Sequence, residues 1–98
     1  MDSHTRKEYT MSVFKITEGK GFQMTFQNGW TVSVQFGAGN YCENNMMSLS
    51  NTPKGHSKDA EIAAWDKDGN WHTFEYDDVK GYCSADEAAD FITKIKSL

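Results

Sequence analysis

Two cysteines and two histidines come closest to forming a catalytic or metal-binding set in this sequence: Cys42, Cys83, His56 and His72. Structural zinc sites draw ligands from closely spaced pairs, and none of these residues is spaced in that way. A nucleophile such as Cys42 needs a base, a group that orients the base and an oxyanion site, and the sequence indicates no such set. We therefore expect no metal, no cofactor and no catalysis, and an enzyme with a Cys42 nucleophile is the weakest alternative.

The run from Asp66 to Asn70 contains oxygen ligands and a glycine that resemble part of a calcium-binding loop. In that alignment Ala64 would occupy the first ligand position, where it supplies no side-chain oxygen, and the flanking residues have strand rather than helix periodicity. Asp, Gly and Asn are also the residues that form tight turns. The run therefore predicts a hairpin turn.

The segment from Gly37 to Lys58 has almost no periodicity, and such a long irregular stretch in a small domain is usually functional or disordered. It begins with G-x-G but lacks the third glycine and the helix of a dinucleotide-binding motif. Its amides, polar side chains and one ring could instead hold a small polar ligand or a protein loop. The candidate binding residues in this segment are Asn40, Tyr41, Glu43, Asn44 and Asn45.

Two alternatives for this segment stay open. Its Asn and Gly residues could simply turn a mobile loop, or the loop could take up a nucleotide-like molecule as a small-ligand sponge. Met46, Met47 and Leu49 add apolar surface, either beneath the loop or toward a partner.

Alternation of apolar and polar residues predicts a hairpin from Phe22 to Phe36. A two-residue turn at Asn28-Gly29 would divide the apolar residues between two faces, so we predict a three-residue loop ending in a left-handed Gly29. The pairs expected on one face are Phe26 with Trp30, Met24 with Val32, and Phe22 with Val34.

A second hairpin is predicted around Lys67-Asp68-Gly69 by the same reasoning. The pairs expected across it are Asp66 with Asn70, Trp65 with Trp71, Ala64 with His72, and Ile62 with Phe74. We expect Ile62, Ala64, Phe74 and Tyr76 on the core face. Trp65 and Trp71 then form an aromatic pair on the opposite face, where exposed aromatic residues commonly anchor an interface. The alternatives are that the Gly37 to Lys58 segment folds back over the pair or that the pair closes a dimer.

From Ser84 the apolar period changes to that of a helix. The predicted apolar stripe consists of Ala88, Phe91, Ile92, Ile95 and Leu98. Ser84 and Glu87 match a capping box. With a short strand near Phe14–Ile16, the predicted fold class is α+β: an antiparallel sheet of three to four strands (two hairpins) with one C-terminal α-helix packed on one face.

Length and composition predict one domain over residues 11–98, preceded by a flexible leader over residues 1–10. The net charge of −4 argues against broad binding of nucleic acid and is compatible with a basic partner. No apolar run approaches the roughly 20 residues that span a membrane, and the amino terminus has no signal-peptide pattern, so we expect an intracellular protein. In such a reducing compartment Cys42 and Cys83 are expected to be free thiols rather than a disulfide.

The segments Phe22–Cys42 and Ala60–Trp65 resemble those of small bacteriophage-encoded proteins to which no activity is attached. The resemblance covers Val13 to about Ile95 and implies context rather than site residues, because small phage accessory proteins often bind and block host factors. It implies a viral protein acting in the host cell cytoplasm.

The functional hypothesis is a non-enzymatic accessory protein that binds a host protein, including as a counter-defence inhibitor. Its contacts would come from the Asn40–Asn45 segment and from Trp65 and Trp71. The nucleotide-like ligand sponge and a structural, self-assembling component with the tryptophan pair in a homodimer interface are the alternatives.

Overall fold

The computed structural model describes residues 11–18, 20–45 and 55–98, and within them it contains one antiparallel five-stranded sheet and one helix. The elements are β1 (Val13–Ile16), β2 (Gly21–Thr25), β3 (Thr31–Gln35), β4 (Ala60–Trp65), β5 (Lys80–Cys83) and α1 (Ala85–Lys96). The strands lie side by side in chain order. The α+β class and the carboxy-terminal helix are confirmed, but the prediction of three to four strands was one too few. The predicted leader and residues 46–54 of the irregular segment lie outside the described residues.

The β2–β3 hairpin has the predicted three-residue loop. Phe26 N donates to Trp30 O at 2.8 Å, and Gly29 N donates to Phe26 O at 2.9 Å. Gly29 has a φ of +91°, a conformation that glycine adopts without a steric penalty. The pairs Met24–Val32 and Phe22–Val34 are also as predicted, so the apolar side chains share one face.

The second hairpin also begins as predicted. Asp66 N donates to Asn70 O at 2.9 Å, and Gly69 N donates to Asp66 O at 3.0 Å. Trp65 and Trp71 form a β-bridge, and His72 N donates to Ala64 O at 2.8 Å. The turn and its first pairs therefore follow the sequence pattern.

Beyond His72 the predicted strand does not continue. Ile62 pairs with Lys80 of β5 instead of Phe74, and the β4–β5 register shifts between Ala60 and Ile62. The ring of Phe74 lies 5.2 Å from the ring of Phe91 on α1, so packing against the helix overrides the alternating pattern.

Tyr76 was also predicted on the core face, and this was wrong. The side chain is 91% exposed, because residues 72–79 leave the sheet after the tryptophan bridge. The strand that completes the sheet is β5, which buries Cys83 in the core opposite Ala60. Its short segment, Lys80-Gly81-Tyr82-Cys83, lacks the alternation that identified the other strands.

Helix α1 begins at the predicted capping box. Glu87 N donates to Ser84 Oγ at 3.1 Å, and Ser84 N donates to Glu87 Oε1 at 2.8 Å. This backbone hydrogen bond lowers the pKa of Glu87. Ala88, Phe91 and Ile95 are buried, as predicted, but Leu98 lies beyond the end of the helix and is exposed.

The helix packs against only part of the sheet. It contacts β3, β4 and β5, where Val32, Ile62 and Ile95 form the centre of the core. Strands β1 and β2 extend beyond it on the same face. The apolar side chains of β1 are therefore exposed, although they alternate correctly for a core strand.

Asn28 links the first hairpin to the end of the helix. Its Nδ2 donates to Ile95 O at 3.0 Å and to Lys96 O at 3.2 Å, and its Oδ1 accepts from Trp30 N at 2.9 Å. The carbonyls of the last helical turn lack the partners that carbonyls have in the helix interior, and Asn28 adds a donor there beside Leu98 N, which donates to Ile95 O at 3.2 Å.

We predict that Asn28→Ala lowers the free energy of unfolding by about 1 kcal/mol, the usual value of a partly exposed hydrogen-bonded side chain. Asn28→Asp should cost more, because a carboxylate would face the carbonyl end of the helix. Urea denaturation measures both changes, with the exposed neighbour Gln27→Ala as the control. Equal stability of Asn28→Ala and Gln27→Ala would contradict this role.

Candidate functional site

Residues Gly37–Asn45, the 37–45 loop, are held together by their own polar groups. Gly39 N donates to Asn45 O at 2.8 Å, Asn45 N donates to Cys42 O at 3.0 Å, and Asn45 Nδ2 donates to Asn40 O at 2.7 Å. Asn40 Nδ2 points to Gly37 O at 3.3 Å. The amides that could have met a ligand therefore bond within the loop.

Asn44 is a structural residue of this loop. Its side chain is 2% exposed, and its Nδ2 donates to Phe36 O at 3.0 Å and to His56 O at 3.1 Å. These carbonyls come from the end of β3 and from the approach to β4. Asn44 therefore fastens together three parts of the chain that are distant in sequence.

The loop lies against the side of the sheet that faces away from α1, which we call the second face. Glu61, Ala63 and Trp65 point to the second face because they alternate with core residues of β4. Tyr41 N donates to Glu61 Oε2 at 3.2 Å, which places Tyr41 on that side.

Gly81 of β5 makes room for Tyr41. A Cβ added at Gly81 would lie 2.4 Å from Tyr41 Cβ, and Tyr82 N donates to Tyr41 O at 2.8 Å. The loop is thus pressed onto β5 at a position that only glycine fits. The ring of Tyr41 remains exposed at the surface.

Glu43 fixes the loop to the beginning of β4. Glu43 N donates to Asp59 Oδ1 at 2.6 Å, and Lys58 N donates to Glu43 Oε1 at 2.8 Å. This reciprocal pair resembles the way in which a capping box holds a helix start. It leaves the carboxylate of Glu43 at the surface.

Trp65 and Trp71 lie toward the other end of the second face. Their ring centroids are 4.8 Å apart with an interplanar angle of 34°. Trp65 is partly buried, and Trp71 is 46% exposed. The predicted cross-strand pair is therefore present. The 37–45 loop contacts β4 at Glu61, four positions before Trp65.

Together these residues form one surface, the aromatic face, consisting of Tyr41, Ser33, Ala63, Trp65 and Trp71. Ser33 and Ala63 are buried neighbours on β3 and β4 and form its floor. Four residues of strand separate the attachment point of Tyr41 from Trp65, or about 13 Å. The surface is thus a small floor of one serine and one alanine with aromatic rings at both ends.

Carboxylates border the Tyr41 end of the aromatic face, where Glu43, Asp59 and Glu61 lie. Asp66, which follows Trp65 in the chain, accepts hydrogen bonds within the turn. The backbone N–H of Asn70 is the main cause of the lowered pKa of Asp66, which also accepts from Asp68 N. This hydrogen bonding favours the ionised form of the Asp66 carboxylate.

Neither cysteine is placed as a nucleophile. Cys42 and Cys83 are free thiols and both are buried. Burial raises the pKa of each, and at Cys42 the nearby carboxylates of Asp59, Glu61 and Glu43 raise it further. Both effects favour the thiol over the reactive thiolate at neutral pH.

The contacts of the two histidines differ from those that the catalytic hypothesis requires. The ring of His72 lies 4.8 Å from Phe74 and 5.3 Å from Phe91, and this burial lowers the pKa of His72. Backbone O of His56 accepts from Asn44. Within the described ranges, no three His, Cys, Asp or Glu side chains converge as metal ligands.

An apolar cleft of about 320 Å³ lies between the helix and the sheet, and the sequence reasoning did not anticipate it. Its walls include Phe22, Val34, Phe36, Ala88, Ala89 and Ile92. The small side chains of Ala88 and Ala89 leave space beside the larger residues of the sheet. These adjacent alanines are the feature of the sequence from which the cleft could have been predicted. The cleft could accept an apolar group, and Ser57, Lys58, Asp59 and Cys83 also contribute to its lining.

No family model, curated protein or solved structure matches this chain. Function therefore has to be inferred from the exposed residues themselves. Of the predicted binding residues, Tyr41, Glu43, Trp65 and Trp71 border the second face, whereas the side-chain amides of Asn40, Asn44 and Asn45 bond to the chain itself. Met46, Met47 and Leu49 lie outside the described residues. Among the residues that the structure covers, no helix is long and apolar enough to cross a bilayer.

Asn44→Ala is predicted to lower the free energy of unfolding by about 1–3 kcal/mol, because two carbonyls near a buried side chain lose their donor. Asn40→Ala is the control, since its hydrogen bonds are longer and its side chain is only partly buried. Thermal and urea unfolding measure both variants. A loss at Asn44 no larger than at Asn40 would contradict the structural role.

Both thiols are predicted to react slowly with iodoacetamide at neutral pH in the folded protein and rapidly after denaturation, because burial opposes thiolate formation. Peptide mass spectrometry follows the two sites separately. Fast alkylation of Cys42 alone in the native state would overturn this conclusion and favour the nucleophile hypothesis.

Proposed function

We propose that this domain is a non-catalytic binding protein whose protein partner docks on the aromatic face. The observation that carries the proposal is the Trp65–Trp71 pair, whose ring centroids lie 4.8 Å apart and of which Trp71 is 46% exposed. Tryptophan is among the residues that most often dominate binding energy, because it buries a large area with little loss of side-chain entropy.

The rigidity of this surface supports the proposal. Trp65 belongs to β4, and Trp71 is held opposite it by a β-bridge and by the Asp66–Asn70 turn. At the other end, Tyr41 is fixed by Glu61 and Tyr82. The side chains of this surface would therefore lose little conformational entropy when a partner binds.

The charge pattern favours a basic partner. Carboxylates cluster at the Tyr41 end of the aromatic face, and the chain carries a net charge of −4. Arginine suits such a surface, because its guanidinium stacks on aromatic rings and pairs with carboxylates. We therefore propose that the partner presents an arginine-containing segment to the two tryptophans.

The biological context of the proposal is a bacteriophage accessory protein that binds a host protein in the host cytoplasm, as a counter-defence inhibitor. What supports this context is the resemblance of Phe22–Cys42 and Ala60–Trp65 to phage-encoded proteins. The aromatic face supports binding alone. The nucleotide-sponge alternative gains no support from the 37–45 loop, whose amide donors already have partners within the chain.

A quantitative pull-down from bacterial lysate tests the proposal. The immobilised baits are the wild type, Trp71→Ala and Tyr76→Ala, whose replaced side chains are both exposed and aromatic. Tyr76 is the matched control, because it lies two residues after Phe74, which packs against the helix on the other side of the sheet.

We predict that a partner captured by the wild type and by Tyr76→Ala is lost from Trp71→Ala, with affinity reduced by about 30-fold or more, the effect of a 2 kcal/mol hot spot. Binding should also weaken as salt increases. Circular dichroism confirms that both variants remain folded. Equal capture by all three baits, or capture of nothing beyond the empty resin, would contradict the proposal.

A further inference from the structure

The two edges of the sheet, β1 and β5, differ in how readily another strand could pair with them. At the β5 edge, the register with β4 is irregular, Tyr82 has a left-handed φ of 54°, and its N–H is already bonded to Tyr41 O. Such features prevent another strand from pairing with an edge. At the β1 edge none of these features is found among the described residues.

The outer backbone groups of β1 are those of Phe14 and Ile16. Thr17 N donates to Gly21 O at 3.1 Å, so Thr17 faces β2. Hydrogen-bonding direction alternates along an antiparallel strand, which turns Lys15 and Val13 toward β2 as well. The N–H and C=O groups of Phe14 and Ile16 therefore point away from the sheet.

The same two residues carry exposed apolar side chains. Phe14 is 72% exposed and Ile16 is 80% exposed, and they lie beside Met24 and Phe22 on the face that α1 covers only over β3–β5. An apolar edge strand whose backbone groups point outward is a template for another strand. The charged residue that would discourage pairing, Lys15, points to the second face.

We propose that β1 pairs with β1 of a second copy of this chain, antiparallel and about a twofold axis at Phe14. Each Phe14 would exchange both backbone hydrogen bonds with its counterpart, and the two five-stranded sheets would become continuous. The side chains of Phe14 and Met24, which are neighbours on one face, would then form one continuous apolar row with those of the second copy.

The side-chain pattern and the extent of β1 favour this register, because an axis at Ile16 would pair Phe14 with Glu18, which lies beyond the end of the strand. Directly opposite residues share a face, so a twofold axis between two residues would place Phe14 against Lys15. An axis at Lys15 would set two lysines opposite each other, which is unfavourable. The axis at Phe14 instead stacks two aromatic rings and places Lys15 opposite Val13.

The small number of residues in the β1–β1 pairing determines how stable the dimer should be. Strand β1 has four residues, and pairing such edges buries less than the roughly 1,200–2,000 Å² typical of stable interfaces. The dimer should therefore be weak and should depend on concentration. Because β1 is remote from Trp65 in the strand order, dimerisation leaves the aromatic face accessible.

Disulfide trapping tests both the dimer and its register. Across the axis the Phe14 Cα atoms should lie about 5.5 Å apart, within the range that a disulfide bridges. The Lys15 Cα atoms should lie about 8 Å apart, beyond that range. The probes are Phe14→Cys and Lys15→Cys, with the wild type as the control for its two buried native thiols.

The expected result is a covalent dimer from Phe14→Cys under mild oxidation, and little from Lys15→Cys or the wild type. Sedimentation velocity of the wild type should show a shift from monomer to dimer with concentration, and Phe14→Glu should abolish it. Preferential trapping of Lys15→Cys would overturn the register. A wild type that remains monomeric at every concentration, with no trapping of either variant, would overturn the dimer.

Discussion

The structure depends on the fact that one helix must cover a sheet wider than itself. A helix of 12 residues is about 18 Å long and 10 Å wide, whereas five strands span about 19 Å. The helix therefore centres on β3–β5, where Val32, Ile62 and Ile95 are almost completely buried. The apolar side of β1 is left at the surface, and the aromatic pair lies on the side of the sheet that has no helix.

The second face is completed by a loop rather than by a second helix. The 37–45 loop uses Asn44 and backbone amides to attach itself to β3 and β4, and it covers the end of the sheet near Glu61 and Gly81. Its polar residues therefore serve mainly to hold the loop. The ring of Tyr41 and the tryptophan pair are the groups that the proposed partner would contact, whereas the thiol of Cys42 is buried.

The sequence pattern predicted the turns and helix ends that are stabilised by residues close together in the chain. The loop of the first hairpin follows from Gly29 and the apolar alternation, and the start of α1 follows from Ser84 and Glu87. The path after His72 could not be predicted in this way, because Phe74 packs against Phe91 of a helix that comes later in the chain. The role of Asn44 was equally hidden, since its partners belong to Phe36 and His56. At the candidate site, the tryptophan pair was predictable from strand register, whereas the attachment of Tyr41 beside Gly81 depends on tertiary contact.

Residue-resolved hydrogen exchange of the dilute monomer tests most directly the claim that the helix protects only part of the sheet. Protection reports how often each backbone hydrogen bond opens. We expect the slowest amides in β3, β4 and α1, and much faster exchange at Lys15 and Thr17, whose N–H groups face β2 where the helix does not cover the sheet. Protection at Lys15 and Thr17 as strong as at Val32 and Ile62 would contradict the account, because it would require a cover over β1 and β2 within the monomer.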